Sequence, residues 1–223
     1  RAWWGLPVRT PDAGAALVDR AWIDVGFRDG EQSREWRERM RAAVTTYLET
    51  VDPHTEPMGI ERTVSFVSGD LRLTGRVDRL DERDGELVVV DYKTSRVPPS
   101  DDDARTSLAL GLYAAAVWKM FRRRTLRVEL HHVPSGTVAV HEHTPESLTR
   151  KVEQARSIAR EARRADLDDA SLVPLNRDSL GVSGSRRHFA VLDRLFDKRR
   201  EDVLLLVLQH RGTVVVEASL GAK

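Results

Sequence analysis

GRVDRLDERDGELVVVDYKTS, residues 75–95, is the stretch that decides how this chain is read. An apolar run at residues 87–90 ends in Asp91, Tyr92 and Lys93. Residues two apart on a strand point to one face, so Asp91 and Lys93 share a side. A second carboxylate, Asp78, stands thirteen residues upstream, shortly after Gly75. Buried charges are costly unless they pair, or bind a metal or a substrate. Asp78 ends one expected strand and Asp91 lies near the end of its antiparallel neighbour. A simple tight hairpin would hold the two apart; a bend or bulge in the strand would let them converge. Converging carboxylates make an oxygen-rich site of the kind Mg²⁺ or Mn²⁺ prefers. Lys93 beside them would hold an attacking water or offset charge developing on a phosphate. Metal plus lysine fits hydrolysis of a phosphodiester. The same letters also fit a charged surface turn with a same-face ion pair worth under about 1 kcal/mol, and spacing alone leaves both readings open.

Composition narrows the setting. The 223 residues suffice for one large domain, or one domain with an appendage. Hydrophobic residues make up 40%, which supplies a core. Charged residues reach 32% with a net charge of only +1, so any basic surface is local. The absence of cysteine excludes disulfides, thiolate-held iron-sulfur clusters and cysteine zinc sites. It is compatible with a cytoplasmic location. No apolar run is long enough for a membrane span and no secretory signal is visible. The chain opens on Arg1 rather than Met, so its natural start is expected upstream.

Periodicity predicts helices over residues 11–26 and 32–51, the second with Trp36, Met40, Ala43, Val44 and Leu48 three and four apart. Strands follow at 63–67, 71–78 and 86–93, separated by Ser68-Gly69-Asp70 and Asp84-Gly85, which reads as an antiparallel meander. Residues 97–103 read as a polar loop, and 107–121 as a strongly apolar helix. A hairpin is expected at 126–133 and 137–143, then a long helix at 145–164. Residues 166–187 lack periodicity and read as a linker. Beyond them a helix near 188–199 and strands at 202–209 and 213–218 are expected. Whether those strands extend the first sheet is left open.

The pair Gly75-Arg76-Val77-Asp78 and Asp91-Tyr92-Lys93, joined by a short turn and an apolar strand, resembles the core of the PD-(D/E)XK nucleases. It is most similar to the branch holding the RecB nuclease domain and the Cas4 nucleases, and the similarity in element order covers roughly residues 15–164. The resemblance implies an α/β fold: a restriction-endonuclease-like core with a central mixed sheet flanked by helices, here carrying a C-terminal extension. It implies Asp78 and Asp91 as metal ligands, Asp78, Asp91 and Lys93 as the catalytic set, and a bent sheet that brings them together. It also implies Mg²⁺ or Mn²⁺ as cofactor.

Three features depart from that branch. Its N-terminal metal-binding histidine is either absent or lies upstream of Arg1, since the first His is His54. Tyr113 matches a tyrosine on the helix after the lysine strand, but Ala109 stands where a glutamine is usual. The branch's iron-sulfur cluster is excluded by the lack of cysteine. Glu61, where relatives commonly carry a glutamate, is expected to give support or to be a solvated strand-start carboxylate.

Lys119, Arg122, Arg123, Arg124 and Arg127, with Tyr113, form the expected nucleic-acid-binding surface. Cations at a helix C-terminus are also favourable without any ligand. His131, His132, His141 and His143 invite a zinc reading, but the expected register, Glu129 opposite His141 and Arg127 opposite His143, builds no tetrahedral set. A polar outer hairpin face explains them better.

The domain reading is a nuclease-like core at 1–165, a linker at 166–187 and a C-terminal unit at 188–223 that could belong to the same domain. Two function classes follow. One is a metal-dependent DNA nuclease of repair, recombination or defence, acting alone or with a helicase or another repair or defence subunit. The other is a nuclease-like module with a decayed site, retained to bind DNA or to scaffold a larger complex.

Overall fold

We describe the chain from a computed structural model, over residues 1–69, 71–168, 204–208 and 214–218. After a short 3-10 turn at Ala2–Gly5, the elements run α1 (Pro11–Ala21), α2 (Gly30–Glu49), β1 (Gly59–Ser68), β2 (Leu71–Arg83), β3 (Glu86–Lys93), α3 (Asp101–Thr106), α4 (Leu108–Phe121), β4 (Arg127–His132), β5 (Val138–Glu142), α5 (Pro145–Asp168), β6 (Leu204–Leu208) and β7 (Val214–Ala218). The expected helix near 188–199 and most of the expected linker lie outside the described residues.

Local chemistry sets the helix starts. Thr10 accepts from Ala13 N at 3.1 Å with Pro11 as the first helical residue of α1, and Asp29 accepts from Gln32 N at 2.8 Å to open α2. The stretch expected as a loop before residue 103 holds α3 instead. Ser100 and Asp103 exchange side-chain-to-backbone bonds there, a complete capping box. α4 is apolar on nearly every side because it is covered on both: it packs on the sheet and against α5. Burying Leu110, Leu112, Tyr113 and Val117 stabilises the fold by about 1.5–3 kcal/mol for each large side chain.

The seven strands form one mixed sheet, ordered β5-β4-β3-β2-β7-β6, with β1 paired to β2 as well. β1, β2 and β3 make the expected antiparallel meander. The α3–α4 crossover returns the chain parallel to β3 as β4, and this is the sheet's one parallel pairing among the described residues. β7 pairs with Leu71–Gly75 of β2, so the C-terminal strands extend the first sheet. The α/β architecture is the one expected, a mixed sheet between helical layers. Its large core lies between the sheet and α4–α5. A second cluster of Trp3, Trp4, Tyr47 and Leu48 packs with Ile60, Tyr92 and Val133. Tyr92 alternates with Val89 along β3, so this cluster covers the other face.

Two expectations need correcting. β2 does not end at residue 78 but continues to Arg83, so Arg79 and Asp81 are buried strand residues rather than parts of a turn. The β4–β5 register is one rung off the expected one: His141 stands opposite Val128 and Glu142 opposite Arg127. His131, His132 and His143 are buried, not displayed on an outer face.

Candidate active site

The turn at Asp84-Gly85 builds the site. Both residues have positive φ, 51° and 80°, the geometry of a two-residue hairpin turn whose twist suits the flanking strands. It sets Arg83 opposite Glu86, and the ladder runs back unbroken to Arg79 opposite Val90. The pairing stops there, and one further step of the same register sets Asp78 beside Asp91. The tight hairpin thus brings the two carboxylates level, because β2 is five residues longer than expected.

At Asp78 regular pairing lapses on both sides of β2. The β1–β2 ladder is continuous except where Glu61 would meet Asp78, and Glu61 has a left-handed φ of 49°. A non-glycine residue held there is a local strain of the kind found at functional sites. The buried positions record the same slip. Val77 and Leu80, three apart, both belong to the large core. On the third side, Asp78 Oδ2 accepts the backbone N–H of Tyr92 at 2.9 Å. The carboxylate therefore replaces a strand carbonyl where β3 leaves β2.

Asp91 is 6% exposed, and Lys93 Nζ lies 2.5 Å from its Oδ2. Lys93 is the one partner described for this buried oxygen. Burial pushes the Asp91 carboxyl up to about 6; Lys93 opposes the rise and the Asp78 charge adds to it. Burial also raises Asp78, against the Tyr92 N–H, Lys93 and Arg76, and with Glu61. Tyr113 faces the same place from α4. Its hydroxyl is buried and unpartnered, and burial followed by the charges of Asp91 and Asp78 raises its phenol. The backbone around Lys93 is held from β4. Val133 N donates to the Lys93 carbonyl at 2.9 Å, and His132 Nε2 donates to the Ser95 carbonyl at 2.7 Å. Because a carbonyl only accepts, His132 carries its proton on Nε2 and receives the Ser135 hydroxyl on Nδ1.

The expected basic surface is not gathered here. Arg123 holds Glu82 and the Gly85 carbonyl, Arg124 holds Glu86 at 3.1 Å, and Arg127 holds Glu129 at 2.7 Å. Arg122 is the exposed left-handed residue that ends α4, and Lys119 is exposed on its last turn. Arg123 and Arg124 grip the turn end of β3, about 20 Å along the strand from Lys93. Of the expected nucleic-acid residues, only Tyr113 is electrostatically coupled to the carboxylates. Thr94 is exposed, and Ser95 Oγ donates to the Val97 carbonyl.

A buried charge network behind the site escaped the sequence reading. Arg79 donates to Tyr47 and Tyr92 hydroxyls and to Asp81, while Arg83 bridges Asp81 and Glu129. Glu129 also takes His131 Nε2 and Arg127. The signal lay in the alternating charges at residues 79–83, which pair inward.

Among the described residues no cluster of three or more His, Asp or Glu side chains could hold a metal ion, and no helix is long and apolar enough to cross a membrane. No curated protein matches the chain. A family model described as the PD-(D/E)XK nuclease superfamily matches residues 6–178, a span that holds Asp78, the Asp84-Gly85 turn, Asp91 and Lys93 and most of the sheet, and the chain therefore belongs to that superfamily.

Proposed function

We propose that the chain is a metal-dependent nuclease that hydrolyses the phosphodiester backbone of DNA, with Asp78, Asp91 and Lys93 as its catalytic set. The supporting observation is the meeting of two raised carboxylates and one lysine where β2 loses regular pairing. Buried like charges this close repel unless a cation lies between them. The residues fit a hard divalent ion. Asp91 Oδ2 is buried with Lys93 as its one described partner, which leaves it acceptor capacity for a cation, and Mg²⁺ takes one or two carboxylates from a protein and keeps several waters. Mn²⁺ accepts the same oxygen donors. When bound, such an ion polarises a phosphate and lowers the pKa of its water.

The chain's own groups do the rest. Asp78 and Asp91 would supply the fixed negative charge that holds such a cation. The Tyr92 N–H locks the Asp78 carboxylate in place, so little reorganisation is needed at reaction. Water oxygen bonds to phosphorus, one P–O ester bond breaks, and the leaving oxygen gains a proton. Lys93 sits where negative charge grows on the phosphoryl oxygens and offsets it. Its backbone is held by Val133 at the Lys93 carbonyl and by His132 at the Ser95 carbonyl just beyond.

The test is cleavage of single- and double-stranded DNA with Mg²⁺, with Mn²⁺ and with EDTA. Cutting with either metal, lost in EDTA and in Asp91→Asn, is expected. DNA binding without any cutting in both metals would replace this reading with a nuclease-like binding module.

A further inference from the structure

We infer that Arg76 is a substrate-contacting residue that holds a backbone phosphate of the nucleic acid beside the reacting one. The inference rests on the nuclease reading above and names how the substrate is held there. Arg76 stands two residues before Asp78 on β2, exposed, with its rung to Thr63 of β1 fixing the backbone. Among the described residues, β7 pairs with β2 as far as Gly75 and β3 pairs from Arg79, so no described strand pairs with that edge of β2 at Arg76. Residues two apart on a strand share a side, so Arg76 lies beside Asp78, and its positive charge acts on both Asp78 and Tyr113.

The other cations described on β1, β2 and β3 are committed. Lys93 pairs with Asp91, Arg79 lies buried among Tyr47, Tyr92 and Asp81, and Arg83 holds Asp81 and Glu129. Arg62 stacks over the Phe121 ring at 4.9 Å. No ion pair or hydrogen bond occupies the Arg76 guanidinium among the described residues.

Charge balance gives this cation a purpose. Asp78, Asp91 and Lys93 sum to −1, the neighbouring Glu61 makes it −2, and a divalent ion would bring the sum to zero. A polyanion threading the site presents the reacting phosphate and its neighbours, and one further fixed cation is needed to hold a second phosphate. A guanidinium offers two parallel donors that match phosphate oxygens, which a solvated lysine does not. Contact with a phosphate that does not react is made equally in the ground and transition states. It therefore lowers KM and leaves kcat nearly unchanged.

The experiment compares wild type, Arg76→Ala and Arg76→Lys on a short DNA duplex and its single strand. Cleavage kinetics are measured with Mg²⁺ and equilibrium binding with Ca²⁺, each across a salt series. Arg76→Ala is expected to raise KM about tenfold with kcat within about twofold, and to reduce the salt slope by about one. Arg76→Lys is expected to keep the salt slope and recover only part of KM. An unchanged melting temperature for both variants separates this from misfolding. A cutting wild type with Arg76→Ala unchanged in KM and slope makes Arg76 an ordinary solvated arginine and leaves the nuclease reading intact. A large fall in kcat at unchanged KM overturns the assignment to a non-reacting phosphate. A wild type that cuts neither DNA with Mg²⁺ or Mn²⁺ overturns both.

Discussion

Asp78 accepts the backbone N–H of Tyr92 at 2.9 Å, so a side chain of β2 finishes a ladder that its own backbone has left. The bond ties the first carboxylate to the residue between Asp91 and Lys93. It fixes the relative position of all three groups through one strand, and a change at Asp78 should be felt as geometry as well as charge.

Asp78→Asn keeps an oxygen for the Tyr92 N–H but removes a charge, whereas Asp78→Ala leaves that N–H without its acceptor. Both should abolish metal-dependent cutting. Only Asp78→Ala should also lower stability, by about 1–3 kcal/mol in urea denaturation.

Asp91 makes the metal-free protein sensitive to pH. Its carboxyl is pushed up to about 6, above the unfolded value near 3.9, chiefly by burial. The folded state therefore holds the extra proton between these values. This contribution is fully present below about pH 4 and is lost as pH rises through about 6. Asp91→Asn should melt higher than wild type at pH 7.5 without metal, and the gap should close towards pH 4. Added Mg²⁺ should raise the melting temperature of wild type and not of the variant.

Glu129 behaves in the opposite sense. Burial alone would raise its carboxyl, but bonds from His131, Arg83 and Arg127 together hold it well below the usual carboxylate range. Its stabilisation is present above the ordinary carboxylate pKa and is lost as acid protonates the folded form. Glu129→Ala leaves Arg83 and His131 facing an empty centre. A loss of about 3–5 kcal/mol is expected by chemical denaturation at pH 7.

Ser100→Ala removes the capping box of α3 and should cost about 1 kcal/mol of stability, read as a small fall in melting temperature. α3 packs against β5, away from Asp91, so the cleavage rate well below the melting temperature should not change.

The sequence carried the site further than it carried the strands. Asp84-Gly85 forces a tight turn, and the same-face pair Asp91 and Lys93 follows from alternation. Asp78 opposite Asp91 is then a matter of counting. It was hidden because Arg79, Asp81 and Arg83 read as solvent-facing charges. Their partners, Tyr47 on α2 and Glu129 on β4, are far away in sequence, and only the folded sheet makes those charges affordable. The histidines misled for a related reason. β4 lies inside the sheet, paired to β3 at Tyr92 and Lys93, and this places His131 and His132 in hydrogen-bonded interior positions. Arg123 and Arg124 of the basic run have their carboxylates in Glu82, Glu86 and Glu142, on other elements that composition cannot pair with them.

The central claim is that Lys93 acts on the reacting phosphate while Asp78 and Asp91 hold the divalent cation. Single-turnover cleavage of saturating DNA by Lys93→Ala, with binding measured in parallel, tests it most directly. Loss of one preorganised cation should slow the chemical step by about 10²–10³-fold, with DNA affinity within about threefold of wild type. A variant that cuts at the wild-type rate, or that loses binding in proportion to cutting, would contradict the account.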